Sequence, residues 1–165
     1  MGMDIYGNAP TASEGEYFRN NVWAWKPLAD YLVARYPDAT NPCQYWWSND
    51  GDGLNGAESV RLADLIDLDL KNGHALAYAQ RHDAVRASLP RESCPLCEGT
   101  GVRTDAVGVA HGFDKPRDPE TGTGGCNGCL GDGTRESFQA AYWFSDDNLR
   151  EFATFARHSG GFRIC

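Results

Sequence analysis

Two copies of one eight-residue pattern set the main constraint on this chain: Cys94-Pro-Leu-Cys97-Glu-Gly99-Thr-Gly101 and Cys126-Asn-Gly-Cys129-Leu-Gly131-Asp-Gly133. Each reads C-x-x-C-x-G-x-G. Two residues between cysteines let both sulfurs of a pair face one ion, and two such pairs are the usual frame of a tetrahedral four-cysteine zinc site. The glycines after each pair admit the left-handed backbone that wraps a chain around a metal and turns its amides toward the thiolates. Cys94, Cys97, Cys126 and Cys129 are therefore the expected ligands of one structural Zn2+. A thioredoxin-like dithiol at Cys94 and Cys97 would need a helix after it to depress the thiol pKa. Glu98-Gly99-Thr100-Gly101 opposes one.

A chain of 165 residues suits a single domain, 1–165, and five Trp, seven Tyr and seven Phe can build an aromatic core without help from a metal. No stretch approaches the roughly 20 apolar residues of a membrane span, and the mean hydropathy of −0.52 fits a soluble fold. Met1-Gly2-Met3-Asp4 offers neither a basic region nor an apolar core, so no secretory signal is expected. Six cysteines without such a signal point to a reducing, cytoplasmic setting and metal binding over disulfides. Cys43 and Cys165 read as ordinary thiols. The net charge of −8 argues against direct nucleic-acid binding, which depends on Lys and Arg neutralising phosphates. An acidic surface can instead meet a basic one, such as the nucleic-acid groove of another protein.

The apolar spacing predicts four helices. One starts near Trp25, with Pro27 in its first turn, and ends before Pro37. A second is capped by Asn55 with Glu58 completing a capping box, and Asp67 and Lys71 have the favourable i,i+4 order. A third runs from Ala75 to Ala87, and a fourth starts at the Ser145 cap, with Asp146 and Asp147 at its positive end. Short strands are expected at 3–6, 44–47, 139–144 and 162–165. From 91 to 135 glycine, proline and short polar residues take over, as in a metal-held ribbon with a long loop. The expected fold is α+β: about four helices and a small mixed sheet, with the four-cysteine zinc ribbon inserted.

At its repeats the chain resembles the cysteine-rich zinc region of DnaJ-type co-chaperones. Those carry four copies and two zinc ions, so two copies imply half that region and one ion. No histidine here is followed by proline, so the J-domain His-Pro-Asp signature is missing and only the ligand role carries over. A second resemblance spans nearly the whole chain. It rests on Met1-Gly-Met-Asp-Ile-Tyr-Gly7, on Gly15-Glu-Tyr-Phe-Arg-Asn-Asn-Val-Trp23 and the paired cysteines. Phe144-Ser-Asp-Asp-Asn-Leu-Arg-Glu-Phe152 and Ser159-Gly-Gly-Phe-Arg-Ile-Cys165 extend it. These look like a family of small phage and prophage proteins, which implies an accessory protein acting on a component of a bacterial host cell and supplies no catalytic residues.

No motif declares a reaction. His74, His82, His111 and His158 lie in separate segments, Thr121-Gly-Thr-Gly-Gly125 lacks the Lys of a P-loop, and four thiolates leave a zinc ion no open position. Asp50 and Asp52 fail the EF-hand spacing, because Ser59 stands where the loop needs Glu. The expected function is therefore a non-catalytic, zinc-stabilised accessory protein that binds a host macromolecule, expected to be a protein, with nucleic-acid-binding proteins among the candidates. Inhibition of a bacterial defence nuclease, in the manner of an anti-CRISPR, is the special case. Asp50, Asp52, Glu58, Asp64, Asp67 and Asp69 form the candidate contact surface. The alternative is a metal-dependent hydrolase or nuclease with a second, open metal site near that acidic loop.

Overall fold

The structure, a computed structural model, describes residues 2–165. In chain order its elements are β1 (Gly2–Gly7), β2 (Tyr17–Asn21), α1 (Val22–Arg35), α2 (Pro37–Thr40), β3 (Gly53–Asn55), α3 (Gly56–Lys71) and α4 (His74–Ser88). Then come β4 (Glu92–Ser93), α5 (Ala106–Ala110), β5 (Thr134–Arg135), α6 (Asp146–His158) and β6 (Gly161–Ile164). The chain divides into two compact units, Met1–Arg86 with Ala141–Cys165, and Ala87–Ala140. The ribbon expected at 91–135 is thus a unit of its own, beginning at 87 and ending at 140. Among the described residues no helix is long and apolar enough to cross a membrane.

The first unit is α+β, with its sheet in the order β2-β1-β6-β3. Every pairing is antiparallel, so the sheet is not the mixed one expected. In β1 Met3 and Ile5 point inward while Asp4 and Tyr6 point out, the period of two that a half-buried strand requires. On the inner face, Phe152 and Phe155 of α6 meet Phe18, and Phe152 also meets Trp25 of α1 and Phe162 of β6. Arg157 of α6 reaches Asp64 and Asp67 of α3, at 2.8 Å each. Asp67 therefore spends its charge between helices, and its bond is to Arg157 instead of the expected Lys71.

Two expected strands are absent, and each has a local cause. Residues 44–47 form turns because Trp46 drives into the core, 1% exposed, with its indole N–H on the Thr40 carbonyl at 3.1 Å. The amides of Gln44 and Tyr45, which a strand ladder would need, donate to the Asp52 carboxylate at 2.5 and 3.1 Å. Around 139–144 the backbone makes a 3₁₀ turn at Phe138–Ala141, where Ala140 N–H bonds the Ser137 carbonyl. Their places in the sheet go to β2 and β3. β2 alternates exposed and buried residues, and its buried Asn20 donates to Asn148 Oδ1 at 2.9 Å.

The helices follow their caps. Asn21, not the Trp25 region, starts α1 by accepting from Ala24 N–H, which moves Pro27 into the second turn. Tyr36 leaves the helical region (φ −128°, ψ 56°) as a residue before proline does. Asn55 and Glu58 form the expected capping box of α3, at 3.0 and 2.9 Å. Ser145 caps α6. The short helices α2 and α5 bring the total among the described residues to six, two more than expected.

Candidate metal centre

The second unit is built from two equivalent knuckles. In each, the amide of the second cysteine donates to the carbonyl of the first at 3.3 Å, Cys97 to Cys94 and Cys129 to Cys126. The residue after each pair lies in the left-handed region, Glu98 at φ 50° and Leu130 at φ 55°. The glycines continue there, with φ of 89° and 79° at Gly99 and Gly101, and 90° and 74° at Gly131 and Gly133. The knuckles also tie each other. Cys126 N–H donates to the Gly101 carbonyl and Cys94 N–H to the Gly133 carbonyl, both at 2.8 Å. The two-residue ladder of β4 and β5 and a fork from Arg91 onto Thr134 close the base.

This folding brings all four expected ligands together. The Sγ atoms of Cys94, Cys97, Cys126 and Cys129 lie within 4.8 Å of one another, and all four residues are buried. Cys94 and Cys126 sulfurs are 3.9 Å apart, Cys97 and Cys129 sulfurs 3.7 Å. Four convergent thiols without a disulfide can hold a metal ion. Backbone amides aim at the sulfurs, Gly133 N–H at Cys129 (3.2 Å) and Gly128 N–H at Cys126 (3.4 Å). Burial pushes the Cys97 thiol up, but amide bonds from Gly101 and Gly99 and the Cys129 thiol outweigh it and bring it down to about 7. Burial carries the Cys129 thiol up to about 11. An ion binds thiolates, so it must displace those protons.

No family model, curated protein or solved structure matches this chain. What the centre can do follows from its own geometry.

Of the six acidic residues expected as a contact surface, Asp69 does not reach the surface: it is buried, 4% exposed, and lies among donors of the first unit. Asp52 anchors the 44–53 loop through the amides of Gln44, Tyr45 and Gly53. Burial opposes its charge, and those amides still hold its carboxyl below the usual range. Glu58 is spent on its capping box, while Asp64 and Asp67 share Arg157. Asp50 accepts from the Ser48 hydroxyl. Among the described residues no other trio of His, Cys, Asp or Glu converges as metal ligands. Cys43 is buried, and burial pushes its thiol up to about 12.

One cluster escaped the sequence reading. Asp69 of α3 takes Arg35 of α1 through both carboxylate oxygens (2.6 and 3.0 Å) and the hydroxyls of Tyr31 and Tyr36 (3.0 and 2.7 Å). His74 Nδ1, at the start of α4, is 3.0 Å from Asp69 Oδ1. The same nitrogen lies 3.1 Å from Arg35 Nη2, so the imidazole meets both the carboxylate and the guanidinium. The hint lay in Asp69 and His74 flanking the α3–α4 turn, but their partners on α1 stand more than thirty residues upstream.

Proposed function

We propose that this chain is a non-catalytic, zinc-stabilised accessory protein of phage or prophage origin that docks on a protein of the bacterial host. The carrying observation is the closed, buried set of four thiols. A tetrahedron with Zn–S bonds of about 2.3 Å has S–S edges of about 3.8 Å; two of the six edges here are 3.9 and 3.7 Å, and all lie within 4.8 Å. Four thiolate ligands complete the coordination of zinc and leave no position for water or substrate, which is the pattern of a structural site. The resemblance to half of a DnaJ-type zinc region favours the same ion.

The net charge of −8 supports a basic partner, and a nucleic-acid-binding host protein offers one. A bacterial defence nuclease, blocked in the manner of an anti-CRISPR, is the special case. Of the acidic residues, Asp50, Asp64 and Asp67 stay exposed and are the candidates for contact.

The test has two parts. Elemental analysis of the purified chain should find one zinc per molecule. A host protein captured by the chain and then purified should rebind it, with the complex weakened by salt and by Asp50→Asn combined with Asp64→Asn. A chain without zinc overturns the metal assignment. A chain that hydrolyses nucleic acid with added Mg2+, or that rebinds no purified host protein, overturns the docking role.

A further inference from the structure

A pocket of about 350 Å³ opens in the first unit beside the Asp69 cluster, between α1 and α4. The residues that line it recur at helical spacing: Tyr31, Ala34 and Arg35 from α1, and His74, Ala77, Tyr78 and Arg81 from α4. Its volume is within the range of small-ligand sites, about 300–1,000 Å³. Every charged or titratable nitrogen group on its wall, Arg35, His74 and Arg81, is basic. That is against the trend of a chain with a net charge of −8. The rest of the wall is two tyrosine rings and two alanines, whose small side chains leave the room.

The basic groups are prepared for a ligand in two different ways. Arg35 is held by the two oxygens of Asp69, and His74 by the same carboxylate, so both are fixed before anything binds. Arg81 makes no ion pair among the described residues, so its guanidinium is available. Asp69 offsets one positive charge, and the second guanidinium is left over for an anion. Guanidinium groups meet phosphate oxygens in a two-pronged fork. The Tyr78 ring is half-buried, packed on Tyr31 and Phe144 with centroids 4.8 Å away in each case, and its exposed part lines the pocket beside that charge.

We infer that this pocket binds a small aromatic phosphate monoester of nucleoside monophosphate size, with the phosphate at Arg35, His74 and Arg81 and the base against Tyr78. The site is separate from the four-cysteine centre and does not depend on the docking role.

Titration calorimetry of the full, metal-loaded chain with adenosine monophosphate tests it, with inorganic phosphate and adenosine as separate arms. Adenosine monophosphate should bind, and each half alone should bind more weakly. Arg81→Gln, which leaves the Asp69 cluster intact, should weaken binding about tenfold or more while circular dichroism and the melting temperature stay unchanged. Tyr78→Leu should weaken adenosine monophosphate and leave phosphate unaffected. No binding of adenosine monophosphate at millimolar concentration overturns the inference. So does equal affinity of Arg81→Gln and the parent chain, or equal affinity for phosphate and the nucleotide.

Discussion

Asp69 carries its charge inside the fold because four donor side chains meet it there. Its carboxyl is held far below the usual range, first by the Arg35 guanidinium, against the cost of burial, and then by His74, Tyr36 and Tyr31. A carboxyl lowered by folding contributes fully above its unfolded pKa, near 3.9, and loses that contribution as pH falls below it, because the unfolded chain takes up the proton first. Thermal melts should therefore show stability declining below about pH 4, and Asp69→Asn should flatten that part of the profile. At neutral pH the same variant removes the charged acceptor of a half-exposed Arg35 and should cost about 1.5–3 kcal/mol in urea denaturation. This residue also shows where sequence reading stops. In sequence Asp69 is one more acid in a helix with Asp64 and Asp67. Only the placement of α1 beside α3 makes it an interior anchor. The four cysteines carry their spacing with them, and their convergence was legible without any tertiary knowledge.

Helix caps and knuckles are local devices, and they were read correctly at Asn55, Ser145 and the two C-x-x-C-x-G-x-G repeats. Asn55→Ala removes one arm of the α3 capping box and should lower stability by about 1 kcal/mol, measurable by denaturant titration. Strands fared worse, because what makes a strand is its neighbour. Residues 44–47 have the aromatic content of a strand, yet Trp46 turns inward and Asp52 takes the amides of Gln44 and Tyr45. Tyr17–Asn21 is not among the expected strands, yet becomes an edge strand because β1 lies beside it. Within the knuckles the reciprocal packing sets a sharper test. A Cβ on Gly101 would sit against the Gly131 carbonyl, and one on Gly133 against the Gly99 carbonyl, both from left-handed backbone. Gly101→Ala and Gly133→Ala should each disturb the opposite knuckle, at about 1–2 kcal/mol for the backbone alone. With a metal ion loaded, competition against a chromophoric chelator should show both variants releasing it more readily than the parent chain.

At the scale of the molecule, the aromatic core belongs wholly to the first unit, and the second is held by backbone bonds and the four thiols. The long loop carries more order of its own than its composition suggested. Asp105 caps α5 and pairs with Arg103, and Asp118 accepts the amides of Glu120 and Thr121. Such exposed bonds contribute little individually, whereas structural zinc binding is worth about 10–16 kcal/mol in small zinc domains. Stripping the metal with a strong chelator should therefore raise amide hydrogen exchange through residues 87–140 while the helices of the first unit stay protected. Exchange rising equally in both units would show that the ion supports the whole fold. The sheet of the first unit imposes an order on synthesis. β6 stands between β1 and β3, with Ile164 opposite Ile5 and Phe162 opposite Leu54. A ribosome must translate the entire ribbon before the central strand exists, so the four-cysteine segment can emerge and close its two knuckles while the first unit is still waiting for its middle.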